Sequence, residues 1–132
     1  MASIHVVDDE VEVGAAVQRV LERAGFAVTV THSAAAALAS VALQQPDILI
    51  TDIIMPKTHG VELIKALRAR YPRVRIIAIS GGGSFGPLAY KPEAISTHAY
   101  LAAAKSAGAE EVLTKPFDMQ DLLAAVRRQL PN

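Results

Sequence analysis

The chain alternates short apolar runs rich in β-branched residues with segments whose apolar residues recur every three or four positions. The first run, residues 4–7, stops at Asp8, and Val13, Val17 and Val20 then recur before Gly25. Short β-branched runs predict strands, and recurrence at three and four residues predicts amphipathic helices. This alternation occurs five times, so the chain must place its strands in one sheet and cover that sheet with helices.

The predicted elements can be assigned bounds along the whole chain. We predict strands over residues 4–7, 27–31, 47–52, 74–80 and 111–114, and helices over 13–24, 33–44, 60–71, 97–107 and 118–130. Ser33 is the expected N-cap of the second helix, and Gly25 and Gly108 are expected left-handed caps. The strands are continuous apolar runs, which is typical of a parallel sheet buried on both faces. Right-handed crossovers then predict a doubly wound α/β sandwich of three layers.

Size and composition limit the classes of function. The chain has 132 residues, which is room for one ordinary domain, and we expect a single domain over residues 1–132. Thirteen basic and thirteen acidic residues give a formal charge of zero, which disfavours nucleic acid and anionic membranes as partners. The chain has no cysteine, which excludes disulfides, thiolate metal sites and thiol nucleophiles.

Neither an export signal nor a membrane span is expected. Asp8, Asp9 and Glu10 stand where a signal peptide needs its apolar stretch. The longest near-apolar run, residues 34–43, is far shorter than the roughly 20 residues that cross a bilayer. We therefore expect a cytoplasmic protein.

Polar residues collect where the predicted strands end. Asp8 and Asp9 follow the first strand, Asp52 ends the third, Ser80 ends the fourth and Lys115 follows the fifth. Each alone is more often a helix cap, a turn residue or a surface charge, but in a parallel sheet they all fall at the same edge, where ligands bind. Three carboxylates gathered there repel one another, so either their pKa values rise or a cation lies among them. Oxygen ligands without cysteine favour Mg²⁺ over Zn²⁺.

The residue types also suggest a reaction. A carboxylate beside Mg²⁺ and a lysine can attack a phosphoryl group, because the two cations neutralise charge on the phosphoryl oxygens. Asp52 is the best placed nucleophile, since it ends the middle strand between the acidic pair and Lys115. The Ser80 hydroxyl can hold one phosphoryl oxygen.

These segments resemble the receiver domains of two-component response regulators. The similarity lies in Val-Val-Asp-Asp-Glu at 6–10, Asp-Ile-Ile-Met-Pro at 52–56, Ser80 and Lys-Pro-Phe at 115–117, and it extends over about residues 3–130. We therefore expect a flavodoxin-like sandwich with the five parallel strands in the order 2-1-3-4-5. The resemblance implies that Asp52 is phosphorylated by a histidine kinase or a histidine phosphotransfer protein.

The resemblance also implies roles for the other site residues. Asp9 should ligate Mg²⁺ directly together with Asp52, Asp8 should act mainly through water, and the backbone carbonyl of Ile54 should complete the protein ligands. Ser80 and Lys115 should bind the phosphoryl oxygens, and Lys115 should also pair with Asp52 or its phosphate.

Two features depart from the family's pattern. In the family an aromatic residue three positions before the lysine moves together with the hydroxyl residue, and here that position is Val112. The segment 81–92 makes the connection after the fourth strand roughly ten residues longer than expected, with permissive glycines and helix-breaking prolines. Phe85, Tyr90 or Tyr100 takes over the aromatic role in one hypothesis, and these residues are ordinary loop and helix packing in the other.

We predict a stand-alone receiver without an output domain that acts as a phosphorylation-dependent switch or a phosphorelay intermediate. Its downstream protein, which the sequence does not name, should bind the fourth helix, fifth strand and fifth helix, as in the family. Beyond its own phosphorylation and dephosphorylation we expect no enzymatic activity. A Mg²⁺-dependent phosphatase would need a carboxylate two residues after the nucleophile, where Ile54 stands. An unphosphorylated scaffold of the same fold is the other alternative, and it is suggested by Val112 and by the long segment 81–92.

We expect the histidines and the basic residues near the third helix to have structural roles. The four histidines, at positions 5, 32, 59 and 98, fit no metal-ligand spacing, and we interpret His5 as a core histidine. The basic residues between positions 65 and 75 are interpreted as a solvated face.

Overall fold

The computed structural model describes residues 2–53, 60–80, 102–114 and 117–130, and these contain a five-stranded parallel sheet. Its strands are β1 (Ser3–Val7), β2 (Ala27–Thr31), β3 (Ile48–Asp52), β4 (Arg75–Ser80) and β5 (Glu111–Thr114). They lie in the order β2-β1-β3-β4-β5, with every neighbouring pair parallel. The predicted sheet and strand order are confirmed.

The helices follow the strands as predicted, with bounds that differ by one or two residues. They are α1 (Val11–Arg23), α2 (Ala34–Leu43), α3 (Gly60–Arg70), α4 (helical residues 102–107) and α5 (Met119–Gln129). Residues 97–101 of the predicted fourth helix lie outside the described residues. Among the helices of the described residues, none is long and apolar enough to cross a membrane.

Side-chain caps fix the starts of two helices. The Ser33 hydroxyl accepts a hydrogen bond from the Ala36 amide at 3.1 Å, and the Asp118 carboxylate accepts one from the Asp121 amide at 2.8 Å. These bonds satisfy amides that the first helical turn leaves without a partner. The Ser33 cap is therefore confirmed, and Asp118 lies just outside the helix that was predicted to include it.

The sheet has a separate apolar core on each face. Successive strand residues point to opposite faces, so Ile48 and Ile50 pack with α1 and α5, whereas Leu49 packs with α2 and α3. Leu21 of α1 and Leu67 of α3 are fully buried in the two cores. Helices on both faces complete the three predicted layers.

Arg68 is an exception to the interpretation of the basic residues at 65–75 as a solvated face, since the other four, Lys65, Arg70, Arg73 and Arg75, are exposed. Its side chain is only 24% exposed and lies between α3, the start of β4 and the end of α4. The guanidinium donates to the carbonyls of Pro72, Val74 and Gly108 and to the carboxylate of Glu110, at 2.7 to 3.1 Å. The planar guanidinium has five N–H donors, and it joins three chain segments by donating to several acceptors at once.

Candidate functional site

Two buried carboxylates lie at the carboxyl edge of the sheet. Asp8 follows β1 and Asp52 ends β3, and Val7 is in register with Thr51, so the two aspartates leave adjacent strands side by side. Asp8 is 3% exposed and Asp52 is 1% exposed. Carboxylates this deeply buried are rare in proteins unless they pair with other groups or bind a metal ion. This burial distinguishes them from ordinary turn residues.

A third carboxylate, that of Glu10, joins this pair. One carboxylate oxygen from each of Asp8, Glu10 and Asp52 lies within 4.8 Å of the other two. Ligands held at about 2.1 Å from Mg²⁺ in an octahedron are roughly 3 to 4 Å apart, and they are preferably oxygens. The chemistry and spacing of this donor set therefore fit Mg²⁺, and we call these three residues the acidic triad.

Glu10 is a candidate site residue that the sequence reasoning missed. Its backbone amide donates to the Asp8 carboxylate at 2.9 Å, so the chain folds back between the two residues. Aspartate commonly accepts a hydrogen bond from the amide two residues later, and this turn was the available signal. Because of this turn, the acid two positions after Asp8 joins it in the acidic triad.

Asp9 is half-buried and is not a member of the acidic triad. Its direct ligation of Mg²⁺ stays a prediction, as does the water-mediated role of Asp8. The structure thus brings together two of the predicted acids, Asp8 and Asp52, and adds Glu10 to them.

The backbone of Asp8 is bonded to the end of β2 on both sides of its Cα. Its amide donates to the Thr31 carbonyl at 3.1 Å, and His32 Nδ1 lies 2.9 Å from its carbonyl oxygen. The hydroxyl oxygen Oγ1 of Thr31 is in turn 2.8 Å from Nε2 of the buried His5. The acidic triad is therefore attached to β2 as well as to its own strands.

The remaining predicted residues are only partly described. Ser80 ends β4 at the same edge of the sheet, where it is in register with Thr114. Val112 lies in β5 opposite Ala78 and packs, half-buried, against the core beneath α2 and α3. Ile54 and Lys115 lie outside the described residues, as do the segment 81–92 with Phe85 and Tyr90, and Tyr100 beyond it. The predicted roles of these residues, and of Val112 and Ser80, stay predictions.

Comparison with known proteins agrees with this architecture. The family model of the response regulator receiver domain matches residues 4–127. The chain is 36% identical over 127 residues to the transcriptional regulatory protein FixJ of Azorhizobium caulinodans, covering 96% of this chain and 54% of that protein. It is 32% identical to the DNA-binding transcriptional regulator NtrC of Escherichia coli K12, covering 98% of this chain and 25% of that protein. The chain thus spans about half or less of these relatives.

A solved structure matches over nearly its full length. The chemotaxis response regulator CheY4 of Vibrio cholerae superimposes with a TM-score of 0.79 at 29% identity, covering 98% of this chain and 99% of that one.

Proposed function

Because the chain belongs to the family of response regulator receiver domains, we propose that Asp52 accepts a phosphoryl group from a phosphohistidine and that this controls binding to a second protein. The observation that carries this proposal is the position of Asp52, which is 1% exposed, at the end of the central strand and within the acidic triad. A buried carboxylate beside two others is a site where added phosphate changes the local charge strongly.

Transfer of the phosphoryl group to Asp52 is a nucleophilic displacement at phosphorus. A carboxylate oxygen of Asp52 forms the new P–O bond, the P–N bond to the donor's imidazole breaks, and the released imidazole nitrogen takes up a proton. The donor is a histidine kinase or a histidine phosphotransfer protein. Lys115 and the Ser80 hydroxyl are proposed to bind the phosphoryl oxygens.

Mg²⁺ is the proposed cofactor, and it would neutralise charge on the phosphoryl oxygens when bound. Asp8, Glu10 and Asp52 supply oxygen donors at suitable spacing, and Asp9 and the Ile54 carbonyl are the further ligands predicted from the sequence. In this proposal Asp52 is both the nucleophile and one of the ligands of the ion.

Intact mass measurement tests the proposal. We expect wild-type protein incubated with Mg²⁺ and acetyl phosphate to gain one phosphoryl group, because Asp52 supplies the nucleophile. Asp52→Asn should gain none, and chelation of Mg²⁺ with EDTA should abolish uptake by the wild type. A single stoichiometric uptake, in place of continued hydrolysis of a phosphate ester, distinguishes a receiver from a phosphatase.

Asp47→Asn is the matched control. Asp47 is exposed directly before the opposite end of β3, where its carboxylate accepts a hydrogen bond from the Ser3 amide at 2.8 Å. This variant should gain phosphate as the wild type does. Equal uptake by Asp52→Asn, or no uptake by a folded wild type, would contradict the proposal and favour an unphosphorylated scaffold.

The wider features of the pathway stay predictions from the sequence. These are the stand-alone arrangement, the cytoplasmic location, and a partner surface on α4, β5 and α5.

A further inference from the structure

His32 contacts the backbone of the acidic triad from a neighbouring segment. It lies directly after β2, and its Nδ1 is 2.9 Å from the carbonyl oxygen of Asp8. A carbonyl oxygen can only accept a hydrogen bond, so Nδ1 must carry the hydrogen and donate it. With the bond from the Asp8 amide to the Thr31 carbonyl, both backbone groups of Asp8 are held by residues 31 and 32.

This attachment affects two carboxylates. The Glu10 amide donates to the Asp8 carboxylate, so the orientation of the Asp8 side chain and the path of the chain to Glu10 depend on each other. Holding the Asp8 carbonyl limits rotation of the peptide that links Asp8 to Asp9, which is the start of this turn. The bond from His32 therefore restricts the backbone from which Asp8, Asp9 and Glu10 extend.

The imidazole also lies close to the helix that follows the triad. A Cβ added to Gly14 of α1 would lie 3.8 Å from Cε1 of His32 and 3.0 Å from Cγ1 of Val30. A side chain at Gly14 would therefore crowd Val30 of β2, whereas the His32 ring lies at an ordinary contact distance from that position. The ring thus lies beside α1 while its Nδ1 bonds to the Asp8 carbonyl.

We propose that His32 is a positioning residue for the cation-binding carboxylates, which it preorganises through the backbone of Asp8. The proposal rests on the proposed function, since it assigns His32 a part in building the same Mg²⁺ site. Groups that orient metal ligands commonly affect metal affinity although they do not touch the ion. His32 is exposed, so replacing it removes the hydrogen bond without opening a cavity in either core.

Cation binding by the intact chain tests this proposal, with Mn²⁺ as the probe and electron paramagnetic resonance to count the free ion. We expect His32→Ala to bind Mn²⁺ about fivefold more weakly, the effect of losing roughly one net hydrogen bond. His32→Asn should restore affinity, because the asparagine amide can donate from nearly the position of Nδ1. With acetyl phosphate, His32→Ala should need about fivefold more Mg²⁺ for half-maximal rate and reach an unchanged maximal rate.

Ser33→Ala is the matched control. It removes the cap of α2 at the next position, so it should lower the melting temperature while leaving Mn²⁺ affinity unchanged. Wild-type affinity in His32→Ala, or equal weakening in His32→Asn and His32→Ala, would overturn the role of His32. Failure of the wild type to take up phosphate would instead overturn the proposed function, because Mn²⁺ affinity is measured without phosphorylation.

Discussion

His5 is a polar residue whose environment is almost entirely protein. It lies within β1, is 2% exposed, and its two ring nitrogens are 2.6 and 2.8 Å from the hydroxyls of Thr29 and Thr31 on β2. One of the two hydroxyls can donate to the unprotonated ring nitrogen while the other accepts from the protonated one, so the neutral ring is fully hydrogen-bonded. The sequence-based interpretation of His5 as a core histidine is confirmed.

Burial makes the stability of the protein depend on His5 at mildly acidic pH. Desolvation lowers the pKa of His5 below its ordinary value, so the native state binds fewer protons than the unfolded chain. The stabilisation is complete above the unfolded-state value near 6.5 and is lost as the pH falls through and below it. We expect the urea unfolding free energy to fall between about pH 7.5 and about pH 5.5, and to fall less in His5→Val. Identical pH dependence in the two proteins would contradict this expectation.

The contacts of His32 and Arg68 were not predictable from the sequence, because their partners are distant along the chain. His32 and Asp8 are 24 residues apart, and Arg68 bonds to residues 40 and 42 positions away. Such pairs follow from the packing of whole elements and leave no period in the sequence. Glu10 was missed because the local turn at Asp8 selects the second residue after it, whereas the resemblance pointed to the residue directly after it.

The elements themselves were largely predictable, because their signals are local. Apolar periodicity placed the described strands and helices, and the caps at Ser33, Gly25 and Gly108 follow from residue type. Bounds differed by a residue or two where a cap such as Asp118 lies outside its helix. The positions of the strand ends predicted that Asp8 and Asp52 lie at the same edge of the sheet. They did not predict that Glu10 would be the acid that joins them.

Two glycines at turns between elements give a matched test of packing. Gly25 and Gly108 have φ values of 101° and 126°, which L-residues rarely adopt. A Cβ on Gly25 would meet nothing within 4 Å, whereas a Cβ on Gly108 would lie 2.9 Å from Nε of Arg68. Gly25→Ala should cost about 1–2 kcal/mol of unfolding free energy, from backbone strain alone.

Gly108→Ala should cost about 1–3 kcal/mol more than Gly25→Ala, because the new methyl displaces a guanidinium that bonds to two other chain segments, residues 72–74 and 108–110. Urea unfolding measures both values. Adding Arg68→Ala should remove this extra cost, so the two substitutions should be non-additive. Equal costs for the two glycine variants would contradict this account.

At the scale of the molecule, the sheet separates two apolar cores. Leu21 and Leu67 are each 0% exposed and lie on opposite faces. Each leucine-to-alanine substitution should cost about 2–5 kcal/mol through lost burial and the cavity that remains. Because the sheet lies between them, the double variant should lose the sum of the two costs within about 0.5 kcal/mol. Urea unfolding tests this, and a deviation above roughly 1 kcal/mol would mean that the two cores are coupled through the sheet.

The strand order has a consequence for how a chemical change at Asp52 can be accommodated. In the described sheet, β3 is hydrogen-bonded to a strand on either side, whereas β5 is bonded only to β4. Displacing β3 would break two ladders, and displacing β5 would break one. If Asp52 is phosphorylated as proposed, a shift of β5 therefore sacrifices fewer backbone hydrogen bonds than a shift of β3, the strand that carries the phosphate.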